Sequence, residues 1–219
     1  MEGNELTISA LALILGLGWA SGISLYALIS LLGLAGATGV LALPPQLQVL
    51  QNPGVIGVAG FLYLIEFFLD KTPGFDSLWD AIHTFVRIPA GAILAMLVVD
   101  EAPAAMELLA AVLGATMATA AHLIKTLSRL LINTSPEPLT NWVASVGEDI
   151  ALIAVLWLLF AYPGVFLVFA AIFVALAVWL LPKLYRVVRS IFARLQRWLD
   201  GTGQARCQLT RDGSAVYRD

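Results

Sequence analysis

Long apolar runs separated by short polar stretches set the pattern of this chain. The first covers residues 8–43, with Gly33, Gly36 and Gly39 near its end. One membrane-spanning helix needs roughly 17–25 apolar residues, so the run is too long for a single span and the glycines are expected to close it in the thirties. Further runs cover 54–69, 85–99, 104–132, 150–162 (reaching back to 143) and 163–181, with Pro163-Gly164 as the turn between the last two. The pattern predicts an all-α, polytopic helical membrane protein of about six transmembrane helices, in which the third and fifth spans are short.

Composition narrows the picture. Of 219 residues, 60% are apolar and 12% charged, against about 45–50% and 25% in soluble domains. The mean hydropathy is +0.89. The lipid bilayer is therefore the first partner, and nucleic acid is not expected as one. A disulfide framework is excluded by the single cysteine, Cys207. Glu2 and Glu5 with no basic residue ahead of the first run do not make a signal peptide.

Basic residues orient the chain. Lys183, Arg186, Arg189, Arg194 and Arg197 follow the sixth run and are expected in the cytoplasm. Walking back through six spans puts Lys125, Arg129, Lys71 and Arg87 on the same side, and both termini with them. A bacterial inner membrane is the expected location. Residues 190–199 read as a basic amphipathic helix on the inner surface, where anionic lipids would be its partner; residues 201–219 read as a polar, disordered tail. Self-association into a homo-oligomer stays open.

A shift of 92 residues aligns Gly22 with Gly114, Leu31 with Leu123, Pro44 with Pro136, Leu47 with Leu139 and Phe68 with Phe160. This divides the chain into halves 1–101 and 102–182, followed by the surface helix 183–200 and the tail. Three spans in each half would make the halves antiparallel, an inverted repeat of the kind found in transporters.

Charge inside a span costs about 2.5–3.5 kcal/mol per residue on insertion scales and marks a cavity or a partner. Two stretches hold most of it. In the first, Glu66 and Asp70 are four apart, and Asp76, Asp80, His83 and Arg87 recur at spacings of four, three and four, which puts them on one helix face. In the second, His122, Lys125, Arg129 and Asn133 share a face and lead into Glu137, Asn141, Ser145, Glu148 and Asp149. Ion pairing that knits helix ends together explains much of this. Glu66 and His122 lie too deep for that reading alone, and a polar pocket near the inner side is the functional alternative. Three chemistries fit it. Asp76, Asp80, His83 and His122 have the ligand types for a divalent metal. Arg87, Lys125 and Arg129 would hold a phosphate or carboxylate. Glu66, Asp80 and His83 would relay protons. The outer half offers only mild groups: Ser21, Ser24, Tyr26, Ser30, Gln46, Gln48 and Gln51.

These two stretches resemble a multi-pass membrane family catalogued as domain of unknown function number 4126. The resemblance rests on Glu66-Phe67-Phe68-Leu69-Asp70-Lys71 with Pro73, Asp76, Trp79-Asp80, His83-Thr84 and Arg87-Ile88-Pro89 with Gly91. It continues in His122, Lys125, Arg129, Asn133, Ser135-Pro136-Glu137-Pro138, Asn141, Ser145 and Glu148-Asp149. The family pattern has Arg directly before Pro, and here Ile88 stands between them. The resemblance covers about residues 11–181 and implies no particular reaction. The expected function is that of a small transporter or channel for an ion or small polar solute, with the charged stretches as its pathway. The alternatives are an enzyme or binding protein acting on lipid headgroups, or a membrane scaffold.

Overall fold

The computed structural model describes residues 2–72, 74–99, 101–134 and 138–213, with side chains placed between 7 and 193 apart from those gaps and residue 138. The chain runs through α1 (Glu2–Ala37), a 3-10 helix (Pro45–Gln51), α2 (Pro53–Leu69), α3 (Phe75–Leu97), α4 (Ala104–Ile132), α5 (Pro138–Ala161) and α6 (Pro163–Gly213). Five helices are long and apolar enough to cross a membrane. They become six if the 3-10 helix and α2, bent by 66°, form one broken span. The third and fifth helices begin well before their apolar runs because their first turns are amphipathic: Asp76, Asp80 and His83 turn inward on α3, and Asn141 and Ser145 on α5. α6 continues beyond the apolar run and takes in residues read from sequence as a separate surface helix and part of the tail.

α1 is not one straight rod. Ser24 leaves the helical region at φ −153°, ψ 100°. Its Oγ accepts the Ala27 N–H at 3.4 Å, as a serine N-cap does for the third residue of a new helix. In an unbroken helix that N–H would go to the Ile23 carbonyl. The carbonyl instead takes the Lys125 ammonium at 3.1 Å.

The break reverses the chain. Gly16 lies against Leu159, while Ala35 and Leu41 wall one cavity with Phe160 and Ala161. On a straight helix residues 16 and 35 would stand about 28 Å apart, at 1.5 Å per residue, too far to reach the same end of α5. The first arm of α1 (before Ser24) therefore runs along α4, and the second arm returns between α2 and α5. Residue pairs along the first arm, Gly18 with Gly114 and Gly22 with Ala118, advance together, so this arm is parallel to α4. The second arm, reversed at Ser24, runs antiparallel to α4, so α1 supplies one arm of each sense. The extra reversal also starts α1 at the end of the bundle where α4 starts. α6 passes the end where α4 finishes, with Val188 and Phe192 beside Leu130 and Thr134.

Small residues let the arm, α3 and α4 meet backbone to backbone. A Cβ on Gly18 would lie 2.5 Å from the Gly114 carbonyl oxygen, and one on Gly91 would lie 2.8 Å from Ala118. In a bilayer, where lipid is as apolar as leucine, such close packing drives helix association. Ser21 adds a hydrogen bond across the contact, donating to the Arg87 carbonyl at 2.7 Å. The outward faces carry Phe61, Phe68, Phe85, Val178 and Trp179, each more than half exposed, as a lipid-facing surface requires.

Two outcomes test this fold. On a Cys207→Ser background, cysteine pairs 16/159 and 35/160 should both be joined by a short bifunctional maleimide; a straight α1 would allow at most one of them. Gly18→Val should force α1 from α4 and cost about 1–3 kcal/mol, read as a lowered melting temperature in detergent.

Candidate functional site

Four helices bring their charged faces to one place beside the break in α1. α2 ends with Glu66 and Asp70; α3 presents Asp80, His83 and Arg87; α4 presents His122, Lys125 and Arg129; α5 opens with Asn141, Ser145, Glu148 and Asp149. Helical spacing explains each set: residues three or four apart stack on one face, and here that face points inward.

Arg87 is wholly buried. Its Nη2 donates to Glu66 Oε1 at 2.6 Å and its Nη1 to Asp80 Oδ1 at 2.9 Å. Lys125 sits among oxygens: Asp70 Oδ2 at 2.9 Å, Glu66 Oε1 and Glu148 Oε2 at 3.5 Å, Asp80 Oδ1 at 3.9 Å, and the Ile23 carbonyl. Arg129 grips Glu148 with two nitrogens, at 2.8 and 3.2 Å, and donates to the Asp70 and Asn141 carbonyls. Charge-assisted and two-pronged contacts of this kind are the strong ones. The Ile23 carbonyl closes the first arm of α1, so the Lys125 cation also meets the negative end of a helix dipole.

The histidines have different surroundings. Arg87 Nη1 donates to His122 Nδ1 at 3.3 Å. This fixes the proton on Nε2, which donates to Thr84 Oγ1 at 2.7 Å, while the Thr84 hydroxyl donates to the Asp80 carbonyl. His83 is the opposite tautomer. Its Nδ1 donates to the Trp79 carbonyl at 2.8 Å, and its Nε2 accepts from the Tyr26 hydroxyl at 3.0 Å. The Trp79 ring stacks on it with centroids 3.9 Å apart.

Asp76 takes no ion pair among the described residues. Its Oδ1 accepts the N–H groups of Gly74 and Ser77 at the start of α3, and Asn133 donates to both its oxygens. Asn141 donates in turn to Asn133. Lys71 is buried at the end of α2, bonded to the Phe67 carbonyl and Ser145 Oγ and lying 2.9 Å from the Phe67 ring centroid. The Asp149 carboxylate is within hydrogen-bonding reach of the Tyr63 hydroxyl. Glu137 lies outside the described residues.

The structure thus joins Glu66, Asp70, Asp80, Arg87, His122, Lys125, Arg129 and Glu148 directly, with Asp76, Asn133 and Asn141 adjoining. It separates the proposed metal ligands: among the described residues no three His, Cys, Asp or Glu side chains are placed to hold a metal ion. Asp80 is committed to Arg87, His83 to Trp79 and Tyr26, and Asp76 to its helix start. The three cations are each taken up by carboxylates of the protein, which leaves none free for an external phosphate. His83 does not extend a Glu66–Asp80 relay either; His122 holds the place next to Arg87.

Sequence reasoning missed the break itself. It assigned Ser21, Ser24 and Tyr26 to the outer half, whereas the reversal carries all three to the charge cluster. Tyr63 was also missed, although its spacing of three and seven from Glu66 and Asp70 puts it on their face. Beside the break lies a cavity of about 10 Å³, the room of roughly one water molecule. Ser24, Tyr63, Glu66, Asp70, Lys125 and Asp149 are in its wall. Among the described residues, Glu66 Oε2 and Asp70 Oδ1 are buried without a hydrogen-bond partner, so lone pairs on that wall remain available.

A bundle of apolar helices with acids and bases paired inside it defines a multi-pass helical membrane protein. The chain belongs to the family described as domain of unknown function (DUF4126), whose model matches residues 11–183. Comparison with curated proteins and with solved structures finds no match.

Removing one partner of a buried pair strands the other, at a cost of about 3–5 kcal/mol. Arg87→Met should therefore lower the melting temperature in detergent sharply. Adding Glu66→Gln and Asp80→Asn to it should restore part of the loss; no recovery would mean that Arg87 acts through its packing rather than its charge.

Proposed function

We propose that the protein is a small membrane transporter or channel for an ion or small polar solute, and that the charge cluster is its binding pocket. The observation that carries this reading is the break of α1 at Ser24 against a buried set of acids and bases. Broken helices and ionised groups are both costly inside a membrane, and are retained chiefly where they line a path or a binding site. The two helix ends created at Ser24, the freed Ile23 carbonyl and the unpartnered oxygens of Glu66 and Asp70 supply groups suited to a proton or small cation. Chemistry on a lipid headgroup has less support, because the cluster is shielded and its cavity holds about one water molecule.

We place the cluster towards the cytoplasm of a bacterial inner membrane. Lys183, Arg186 and Arg189 are exposed on α6 beyond the same end of the bundle, where the positive-inside rule puts them in the cytoplasm and near anionic lipid.

Purified protein in proteoliposomes, loaded with a pH-sensitive dye and challenged with gradients of H⁺, Na⁺ and K⁺, should show flux above empty vesicles. Glu66→Gln should reduce that flux at least tenfold in protein that elutes like the wild type. Absence of wild-type flux for every ion and for a panel of polar solutes, or full flux in Glu66→Gln, would overturn the reading.

A further inference from the structure

A row of voids leaves the charge cluster along the second arm of α1. The small cavity at the break shares Tyr63 and Asp149 with a second of about 220 Å³, between Ser30, Gly60 and Leu152. The second shares Leu31 and Ile153 with a third of about 450 Å³, which extends to Val40 and Ala161. The first two lie in the seam where α2 and α5, which do not pack closely on one another, flank that arm; the third continues it between the arm, the residues that follow it and α5. The first void is lined by charge. The walls of the other two are mostly leucine, isoleucine and alanine, with three aromatic rings (Tyr63, Trp157 and Phe160), and Ser30 and Asp149 are their polar members.

Charge at the head of the seam is not balanced. Glu66, Asp70, Asp80, Glu148 and Asp149 meet Lys71, Arg87, Lys125 and Arg129, so five carboxylates face four cations. Glu66, Asp70, Asp80 and Glu148 all make ion pairs within 4 Å. Asp149 makes none among the described residues: it takes the Tyr63 hydroxyl and feels Lys125 and Lys71 only at longer range, and it stands where the polar cavity gives way to the apolar ones. A carboxylate at the closed end of an apolar, aromatic-walled groove within a membrane protein attracts a positive charge carried on an apolar body. Burial of the body supplies affinity, the aromatic faces favour a cation, and the low dielectric strengthens its attraction to Asp149.

We propose that the α1–α2–α5 seam binds a lipophilic organic cation, with its charge at Asp149 and its apolar body in the groove. This goes beyond the transport reading, which concerns a small ion or polar solute at the charge cluster, and binding is measured separately from flux. The probes are tetraphenylphosphonium and tetraphenylborate, close in size and shape and opposite in charge, titrated calorimetrically into the full chain in uncharged detergent. Tetraphenylphosphonium should bind saturably, and tetraphenylborate at least tenfold more weakly. Asp149→Asn should weaken the cation at least tenfold while eluting as the wild type does. Leu31→Trp, which fills the groove and leaves the charges in place, should weaken it as well, and serves if Asp149→Asn does not fold. No saturable binding, equal binding of the two probes, or wild-type affinity in either folded variant would overturn the proposal. So would a co-purified phospholipid in the groove that the cation does not displace. Inorganic-ion flux without cation binding would sink this inference alone; cation binding without any flux would sink the transport reading and leave this one standing.

Discussion

Arg87 is the interaction on which the rest depends. It lies fully buried on α3 between an acid of α2 and an acid of its own helix, in surroundings where an unmatched guanidinium would be prohibitive. Satisfying it fixes the position of α2, and the shared Glu66 oxygen passes that constraint on to Lys125 of α4. Lys125 in turn holds the Ile23 carbonyl, and Arg129 ties α4 to α5. Five of the six helices are thus located by one continuous set of charged contacts. Glycine-mediated packing of α1, α3 and α4 supplies the close approach that lets these side chains reach each other.

The reversal at Ser24 and the charge cluster explain one another. A helix that stops inside a bilayer exposes carbonyls with no partner along its own axis. Here the Lys125 cation takes the one freed at Ile23, and the serine hydroxyl caps the helix that follows. In return, the break gives Lys125 an oxygen that no carboxylate supplies. The second arm then opens the seam, because its small residues, Ala27, Ser30 and Ala35, leave space between α2 and α5 that larger side chains would fill.

Much of this was legible in the sequence. The all-helical membrane class follows from the apolar runs, and the inward faces of α3 and α4 follow from spacings of three and four between charged residues. Glu66, Arg87, Lys125 and Arg129 were found because charge in an apolar run has to be accounted for. The reversal was not legible. Ser24 is an unremarkable residue in a membrane helix, where serine usually bonds back to its own turn as Ser30 does to Tyr26, and only the tertiary contacts of Gly16 and Ala35 betray the change of direction. The metal reading failed for a related reason: helical periodicity aligns Asp76, Asp80 and His83 on one face, but a turn of rise between each leaves them to different neighbours.

The long separations within the cluster bear on how the chain is made. Glu66 lies 21 residues ahead of Arg87 and 59 ahead of Lys125, and Arg129 precedes Glu148 by a further 19. During synthesis the acids of α2 therefore leave the ribosome well before their counter-ions. Nascent α2 must wait at the membrane surface, or beside the insertion machinery, until α3 and α4 arrive. Biogenesis would then proceed by delayed, concerted entry of the middle helices rather than one span at a time.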